Sequence, residues 1–398
     1  MSRLKIGLFN DSFPPTIDGV AQAVKNYAAV LHDKHCDVTV VTPDYKDVQD
    51  DYPFEVFRYR SLRADKRIGY RVGNPFDPKT LIKLRTKRFD LMHIHSPFAS
   101  SVLVSNINHR PKVPVVLTYH TKFDVDIAKR VPLDGMRKIA MKFLLDNINA
   151  VDEVWVVTEG CGRALRDVGY RGSYHVMENG TDFAYGRAPQ GEIDALREKY
   201  GVREDEFVFL FVGRMMWYKN VRLILDALKY LYGQGVPFRA FLVGDGFDAP
   251  DIQAYAKGIG LEGPVTFTGA IYDREALRAY YSLADMFLFP STYDTSGIVV
   301  KEAAACDCPA LLVEGSCAAE GVAHDFTGFL AEETAESCGQ VLFKACEDRG
   351  HIAEVGKHAG EHLYLSWETA VERAYKRYTE ILDRWPGPMP YNGKTRWY

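Results

Sequence analysis

The chain has 398 residues, of which 47% are hydrophobic and 26% charged, a composition typical of a globular protein long enough for two hydrophobic cores. No apolar run approaches the ~20 residues that span a bilayer, and the first residues lack the apolar segment of a signal peptide, so we expect a cytoplasmic protein. Seven cysteines without repeated Cys-x-x-Cys pairs favour reduced thiols over a disulfide framework.

Charge is unevenly distributed along the chain. The net charge is -4, yet residues 51–142 contain 19 lysines and arginines against 8 aspartates and glutamates. A localised basic surface suits an anionic partner, for which nucleic acid and an acidic membrane are the two candidates.

The first predicted elements are a strand over 5–10, a loop of sequence DSFPPTIDG, and an amphipathic helix over 20–32. This order is typical of the start of a doubly wound α/β domain. Gly19 lacks a Cβ, so a phosphate group could approach the backbone there. A single glycine after an aspartate is also typical of an ordinary turn.

Further strands are predicted over 37–42, 91–95, 115–119 and 153–157, with a spacing that suits a parallel sheet. Functional residues gather at the carboxyl ends of such strands, where His93, His95 and His120 lie. A lone histidine there is often structural. Asp124 and Asp126 have the Asp-x-Asp spacing of some metal sites, but this spacing is common by chance and we predict no metal.

Residues 128–147 combine cations with apolar side chains at helical spacing. This pattern is typical of a helix that lies on a membrane surface. The alternative is a surface helix whose apolar stripe belongs to the protein core. The cations are Lys129, Arg130, Arg137, Lys138 and Lys142, and the apolar residues are Met136, Ile139, Ala140, Phe143 and Leu144.

The second half of the chain repeats the α/β pattern from a strand predicted over 207–212. Gly213, Arg214 and Lys219 follow that strand, and two glycine-bearing turns, VGDG and TFTG, follow the next two. Arginine and lysine beside a strand end suit an anionic ligand, although each alone is typical of a protein surface.

The stretch MFLFPSTYDTSGIVVKEAAACDCP, residues 286–309, predicts strand, loop and helix. The first helical turn, at Gly297, leaves the amides of Ile298 and Val299 without intrahelical partners, so it is a candidate anion site. Asp294 and Glu302 would flank a bound anion with two carboxylates. Such a site matches a nucleotide sugar, with the diphosphate at the helix end and a hydroxyl-bearing group on each carboxylate.

These motifs resemble those of retaining glycosyltransferases of family four. The resemblance covers DSFPPTIDGV, the Gly-Arg…Lys motif after the strand over 207–212, the Asn179-Gly180-x-Asp182 hinge motif, and Asp294 with Glu302 before an Ala-rich helix. It implies a GT-B architecture of two facing, Rossmann-like α/β domains. The implied boundaries are 1–185 for the acceptor domain, 186–370 for the donor domain, and 371–398 for a helix and tail that return to the first domain.

The same resemblance implies roles for individual residues. Catalysis would involve His120, Asp294, Arg214 and Lys219, with His120 and Asp124 on the acceptor side. Asp294 would bind the donor sugar, Glu302 the ribose, and Arg214 with Lys219 the diphosphate. The full implied donor site is Gly19, Gly213, Arg214, Lys219, Gly269, Ala270, Ile271, Asp294, Gly297, Ile298, Val299 and Glu302, with the backbone of 269–271 at the base.

The implied reaction transfers a hexose from a nucleotide sugar, with UDP-hexose favoured, without metal or other cofactor. The resemblance is strongest to lipid glucosyltransferases, so we expect an acceptor such as diacylglycerol, no nucleic-acid partner, and a peripheral position on the inner face of the membrane through 128–147. The alternatives are a soluble sugar or polysaccharide-precursor acceptor, a catalytically weak nucleotide-sugar-binding protein, and a sugar-nucleotide epimerase. Two positions depart from the family pattern: Asp294 replaces glutamate and Asp307 replaces glycine.

Overall fold

The computed structural model describes residues 3–16, 18–45, 48–63, 71–108, 113–123, 127 and 133–386. The chain forms two compact units. Unit 1 comprises Met1–Asn179 together with Trp367–Tyr398, and unit 2 comprises Gly180–Ser366. The chain thus passes between units six residues before the boundary expected at 185/186 and four residues before the one expected at 370/371.

Unit 1 contains a seven-stranded parallel sheet. The described strands of unit 1 are, in chain order, β1 (Leu4–Phe9), β2 (Cys36–Pro43), β3 (Glu55–Tyr59), β4 (Ser61–Arg63), β5 (Arg71–Gly73), β6 (Leu91–Ile94), β7 (Val115–Tyr119), β8 (Glu153–Val156) and β9 (His175–Val176). Strands β4 and β5 form a separate antiparallel hairpin, and the other seven form the sheet. The strand order in the sheet is β3-β2-β1-β6-β7-β8-β9. Crossover helices cover a parallel sheet on both faces, which explains why the central strands are almost continuously apolar.

The helices of the first part of unit 1 are α1 (Gly19–Lys34), α2 (Pro78–Thr86), α3 (Ala99–Ile107), α4 (Asp134–Asn149) and α5 (Glu159–Asp167). Side-chain oxygens cap several of them. Asp18 accepts a hydrogen bond from the amide of Ala21 at the start of α1, and Thr158 does the same for Cys161 in α5.

Unit 2 contains a six-stranded parallel sheet of order β12-β11-β10-β13-β14-β15. Its strands are β10 (Phe207–Val212), β11 (Phe238–Val243), β12 (Val265–Gly269), β13 (Met286–Leu288), β14 (Ala310–Val313) and β15 (Phe329–Ala331). Its helices are α6 (Gln190–Tyr200), α7 (Val221–Gly233), α8 (Ala249–Gly258), α9 (Arg274–Leu283), α10 (Ile298–Ala305), α11 (Ala335–Ala345) and α12 (Arg349–Leu363), with short 3-10 turns at Trp217–Lys219 and Cys317–Ala319.

The final helix, α13 (Trp367–Arg384), belongs to unit 1. The buried Tyr378 stacks on Trp155 of β8, with ring centroids 5.2 Å apart. Arg377 donates two hydrogen bonds, of 2.8 and 2.6 Å, to the carboxylate of Glu153. These contacts confirm the prediction that a C-terminal helix returns to the first domain.

Each sheet has a topological switch point, where the direction of chain winding reverses. It lies between β1 and β6 in unit 1 and between β10 and β13 in unit 2. In open α/β sheets, ligands bind outside the carboxyl ends of strands at such points, because the loops there diverge to opposite faces. The fold therefore indicates one candidate ligand-binding position in each unit.

Asp307, one of the two departures from the family pattern, follows α10 with a φ of 55°. This left-handed conformation ends many helices and favours glycine, although aspartate also adopts it. The neighbouring helix α12 has glycines opposite the turn. A Cβ at Gly356 would lie 2.1 Å from the carbonyl oxygen of Asp307, and one at Gly360 would lie 2.5 Å from its Oδ1. Two glycines in α12 thus make room for the turn and its side chain.

Candidate functional site

The switch point of unit 2 brings Lys219 and Asp294 together. Lys219 ends the 3-10 turn that follows β10, and Asp294 lies in the loop that follows β13. Because β10 and β13 are hydrogen-bonded neighbours, their carboxyl ends place the two side chains side by side. The Nζ atom of Lys219 lies 2.5 Å from Oδ1 of Asp294, and the buried hydroxyl of Ser291 donates to Oδ2 at 2.6 Å.

The ammonium group of Lys219 is enclosed by aromatic rings as well as by Asp294. It lies 5.8 Å from the ring centroids of Tyr218 and Phe289, and the residue is only 8% exposed. A buried lysine needs a charge partner, and the carboxylate of Asp294 supplies it. Arg214, in the same connection, is exposed.

The N-terminus of α10 lies three residues after Asp294. Gly297 caps the helix with a φ of 50°, a conformation in which a side chain would be strained. The amides of Ile298 and Val299 are in the first turn, where a helix has no internal acceptors for them. These amides carry the positive end of the helix dipole, which suits an anion, while the charge of Lys219 is balanced by Asp294.

Backbone hydrogen bonds join the loops that follow β10, β11 and β12. The amide of Gly213 donates to Val243 at 3.0 Å, and the amide of Gly244 donates to Gly269 at 2.9 Å. This seam requires a residue without a side chain, because a Cβ on Gly244 would lie 1.9 Å from the carbonyl oxygen of Gly213. The VGDG turn therefore holds Gly213 and Gly269 in one rigid edge.

The segment expected to face a nucleobase, residues 269–271, lies at the end of this rigid edge. Gly269, with a φ of 74°, and Ala270 are exposed, and Ile271 is partly exposed. These three residues thus reach the protein surface at the carboxyl end of β12. Asp273 then caps α9 by accepting hydrogen bonds from the amides of Glu275 and Ala276.

Glu302 lies on α10 and is 6% exposed. Arg274 donates to its Oε1 at 2.6 Å, and the hydroxyl of Tyr281 donates to its Oε2 at 2.9 Å. Burial raises the pKa of Glu302 above its ordinary value, and the charge of Arg274 acts in the opposite direction. Neither Arg274 nor Tyr281 was predicted from the sequence as a site residue. The sequence of α9 shows a polar first turn, but it does not show which part of the protein the side chains of that turn contact.

In unit 1, Gly19 is the first residue of α1 and is exposed. A Cβ built on this glycine would meet no atom of the described residues within 4 Å. Packing within the protein therefore does not require a glycine at this position, in contrast to Gly244. An open position at a helix N-terminus is where an anionic ligand could approach the backbone.

His120 follows β7 and belongs to a buried cluster with the two histidines of the neighbouring β6 segment. Its Nε2 lies 2.9 Å from Nδ1 of His95, whose ring centroid lies 4.0 Å from that of His93. Burial lowers the pKa of His120 to about 3, so the imidazole is neutral at pH 7. Asp124 and Asp126, predicted respectively as an acceptor contact and as its Asp-x-Asp partner, lie outside the described residues.

The switch point of unit 1 holds a carboxylate that the sequence analysis missed. Asp11 follows β1 and accepts hydrogen bonds from the hydroxyls of Ser96 and Ser100 at 2.6 and 2.7 Å. Burial raises its pKa, and these hydrogen bonds act in the opposite direction. Asp11 also accepts from the Ser100 amide at the start of α3, so it fixes the loop at this edge.

Helix α4 forms most of the segment expected to contact a membrane. Residues 128–132 lie outside the described residues, but Leu133, Met136, Ile139 and Phe143 are exposed by 61%, 55%, 71% and 44%. The spacing places them along one face, and Lys138 and Lys142 beside them are also exposed. The alternative of a core-facing stripe holds for Leu144, which is buried, and in part for Ala140, which is half-buried and packs against the core of unit 1. Among the described helices, none combines the length and apolarity needed to cross a bilayer.

Two protein-family models match consecutive parts of the chain. Residues 17–185 match Glycosyltransferase Family 4, and residues 192–361 match Glycosyl transferases group 1. The first match covers most of unit 1, and the second covers most of unit 2.

Individual proteins agree with the family matches. Alpha-monoglucosyldiacylglycerol synthase of Streptococcus pneumoniae is 26% identical over 316 residues, which are 77% of this chain and 70% of that protein. Two solved structures, each 20% identical, share the fold. Sucrose-phosphate synthase from Thermosynechococcus elongatus has a TM-score of 0.78 over 96% of this chain and all of its own, and Anabaena HepE in complex with UDP-glucose has 0.73 over 96% and 99%. The chain therefore belongs to glycosyltransferase family 4 and is a glycosyltransferase of the GT-B fold.

Proposed function

We propose that the protein transfers a glucosyl group from UDP-glucose to a membrane lipid such as diacylglycerol, with retention of the anomeric configuration. The observation that carries the donor part is the arrangement of Lys219, Asp294 and the first turn of α10 at the switch point of unit 2. A diphosphate there would meet the cation and the helix amides. The sugar would lie on the side of Asp294 and the ribose on the side of Glu302.

The chemistry requires charge stabilisation more than a protein base. The bond between sugar C1 and the diphosphate oxygen breaks while an acceptor oxygen bonds C1 on the same face, and the acceptor proton passes to a phosphate oxygen. The products are the glycoside and the nucleoside diphosphate. Lys219, Arg214 and the amides of Ile298 and Val299 would stabilise the growing negative charge, so we propose a reaction without metal or other cofactor.

On the acceptor side, His120 would act through hydrogen bonding. A pKa of about 3 makes its imidazole a weak base, so it would orient the acceptor hydroxyl instead of removing its proton at pH 7. Asp124 stays a proposed second acceptor contact. Orientation of this kind can supply a large part of the rate, because the reacting atoms no longer have to find each other.

Two observations support a lipid acceptor. The exposed apolar stripe of α4 is flanked by lysines, a combination that suits the interface of an anionic bilayer. The relative from Streptococcus pneumoniae is named for a glucosylated diacylglycerol. We therefore propose peripheral attachment to the cytoplasmic face of the membrane through 128–147, with no nucleic-acid partner.

A soluble sugar acceptor is the second candidate, and sucrose-phosphate synthase shares the fold. The decisive assay mixes the full chain with UDP-glucose that is labelled in the sugar and with phosphatidylglycerol vesicles that contain diacylglycerol as the acceptor. We expect a labelled lipid with an α-anomeric NMR signal. Label found only in a water-soluble glycoside would support the soluble acceptor, and conversion of the sugar in the absence of any acceptor would support an epimerase. Binding without turnover in every arm would leave a nucleotide-sugar-binding protein.

A further inference from the structure

Arg274 connects three separate parts of unit 2. Its Nη2 atom lies 2.6 Å from Oε1 of Glu302 and 2.5 Å from Oδ1 of Asp182. Its guanidinium also lies 4.3 Å from the ring centroid of Phe183. One side chain therefore joins the segment after the Asn-Gly motif to the helix that carries Glu302.

Glu302 is held at both oxygens. Arg274 occupies one position on Oε1, and the hydroxyl of Tyr281 occupies one on Oε2. An ionised carboxylate has about four lone-pair sites, so two stay available for further donors. Two adjacent hydroxyl groups on a ribose ring are donors that such a pair of sites can accept. With its orientation fixed from both sides, the carboxylate does not have to be ordered when a ligand binds.

We propose that Asp182, Arg274 and Tyr281 are positioning residues that hold Glu302 ready to accept hydrogen bonds from the ribose hydroxyls of the nucleotide. This inference rests on the proposed nucleotide-sugar donor. It gives Asp182 a function in the donor site, whereas the sequence motif alone places it at a hinge. It also links the proposed ribose subsite with the proposed base subsite. Arg274 starts α9 only three residues after Ile271, the end of the segment expected to face the base.

The expected consequence is selectivity for ribose over deoxyribose. Wild-type protein should bind a ribonucleotide at least tenfold more tightly than its 2′-deoxy counterpart, because the 2′-hydroxyl donates a hydrogen bond to a charged group. A carboxylate that is no longer held should lose most of this preference. The affinity for the deoxynucleotide should change less, since it lacks the 2′-hydroxyl and has only its 3′-hydroxyl to lose as a donor.

The test measures dissociation constants for UDP, 2′-deoxy-UDP, GDP and 2′-deoxy-GDP by calorimetry on the full chain. The variants are Arg274→Gln and Tyr281→Phe, the second of which removes a single hydroxyl. Arg278→Gln is the matched control, because Arg278 lies one turn further along α9 and donates to the carbonyl oxygen of Gly186 instead of to Glu302. We expect both test variants to lower the ribonucleotide preference about tenfold and the control to keep it.

Equal weakening of ribo- and deoxynucleotide binding in Arg274→Gln and Tyr281→Phe would overturn the inference, because it would show a merely structural role. An unchanged preference in both variants would overturn it as well. Failure of wild-type protein to bind either UDP or GDP would instead contradict the proposed function, and with it the basis of this inference. An Arg274→Lys variant that restores part of the preference would support the positioning role, since it keeps a cation beside Glu302.

Discussion

Lys219 and Asp294 are 75 positions apart in the chain, yet Nζ of one lies 2.5 Å from Oδ1 of the other. This pair places a buried cation at the helix end that we propose for the diphosphate. We expect Lys219→Ala and Arg214→Ala each to weaken transition-state stabilisation by about 2–4 kcal/mol, the scale of one preorganised donor. The measurement is kcat/KM with saturating acceptor.

The control for these variants is Lys257→Ala, which removes an exposed lysine paired with Glu262 in the same unit. Exposed pairs contribute little, so activity and Tm should stay at wild-type values. Arg214→Ala should also keep the wild-type Tm, because Arg214 is exposed. Wild-type rates in both Lys219→Ala and Arg214→Ala would remove these residues from the site.

Asp294→Glu restores the side-chain length of the family pattern. The Asp294 side chain is 23% exposed, so an extra methylene has room to shift, and we expect this variant to be active, with a rate equal to or above wild type. Asp294→Asn should be much slower, because it keeps the shape but removes the charge next to Lys219. Folded Asp294→Glu protein without activity would show that Ser291 and Lys219 have adapted to the shorter acid.

Gly360→Ala should destabilise the protein by about 1–3 kcal/mol, the usual cost of overpacking, because its Cβ would lie 2.5 Å from Oδ1 of Asp307 and 2.8 Å from the ring of Tyr185. Asp307→Gly should reduce that cost, so the two changes should be non-additive in urea unfolding. Gly191→Ala in α6 is the control, since a Cβ there meets no atom within 4 Å. Additive effects would contradict the contact.

Stability should fall in mild acid because of the buried histidine cluster. Burial lowers the pKa of His120 to about 3 and holds those of His93 and His95 well below 6.5. Their stabilisation is therefore present above pH 6.5 and is lost as the pH falls, because the unfolded chain then binds three protons that the folded chain does not. Each such proton contributes up to about 1.4 kcal/mol per pH unit.

The measurement is urea unfolding between pH 7 and 5, with His95→Asn as the comparison. The free energy of unfolding of the variant should depend less steeply on pH, because its unfolding takes up one proton fewer. The raised pKa values of Asp11 and Glu302 have the opposite effect on stability, since they favour the folded state as the pH falls. The difference between wild type and variant isolates the histidine contribution. An identical slope in the two proteins would contradict the neutral state of His95.

Ile139→Ser should reduce co-sedimentation with anionic vesicles without lowering Tm, because Ile139 is 71% exposed. The variant Arg137→Gln, Lys138→Gln, Lys142→Gln should do the same, since each cation near an anionic surface contributes about 1 kcal/mol and is screened by salt. Nucleotide binding should be unchanged in both. Leu144→Ser is the contrasting variant, because Leu144 is buried and its loss should lower Tm. Unchanged vesicle binding at low salt would contradict the membrane role.

The fold class was predictable because parallel sheets leave an unambiguous pattern. Runs such as FVFLFV, residues 207–212, are too short for helices and too apolar for exposed strands, and the structure confirms a strand there. The hairpin formed by β4 and β5 was not predicted. Its strands of three residues each are too short to show an alternating pattern.

The candidate site was only partly predictable. The family resemblance placed Lys219 and Asp294 in one implied donor site, and the two side chains are neighbours in the structure. The partners of Glu302 were not accessible to this argument, because they depend on how α9 is rotated about its axis. The two interpretations of α4 share one periodicity, and only the observed exposure of Met136 and Ile139 separates them.

The place where the chain leaves and re-enters unit 1 has a consequence for synthesis. The amide of Thr181 donates to the carbonyl oxygen of Leu365 at 2.8 Å, so the two ends of unit 2 lie side by side. Unit 2 is thus inserted into unit 1, and its last residue leaves the ribosome before Tyr378 does. Trp155 and His93 cannot make their contacts with α13 until unit 2 has been translated, although both residues precede unit 2 in the chain. Unit 1, most of which is made before unit 2, therefore finishes folding only after unit 2 has been made.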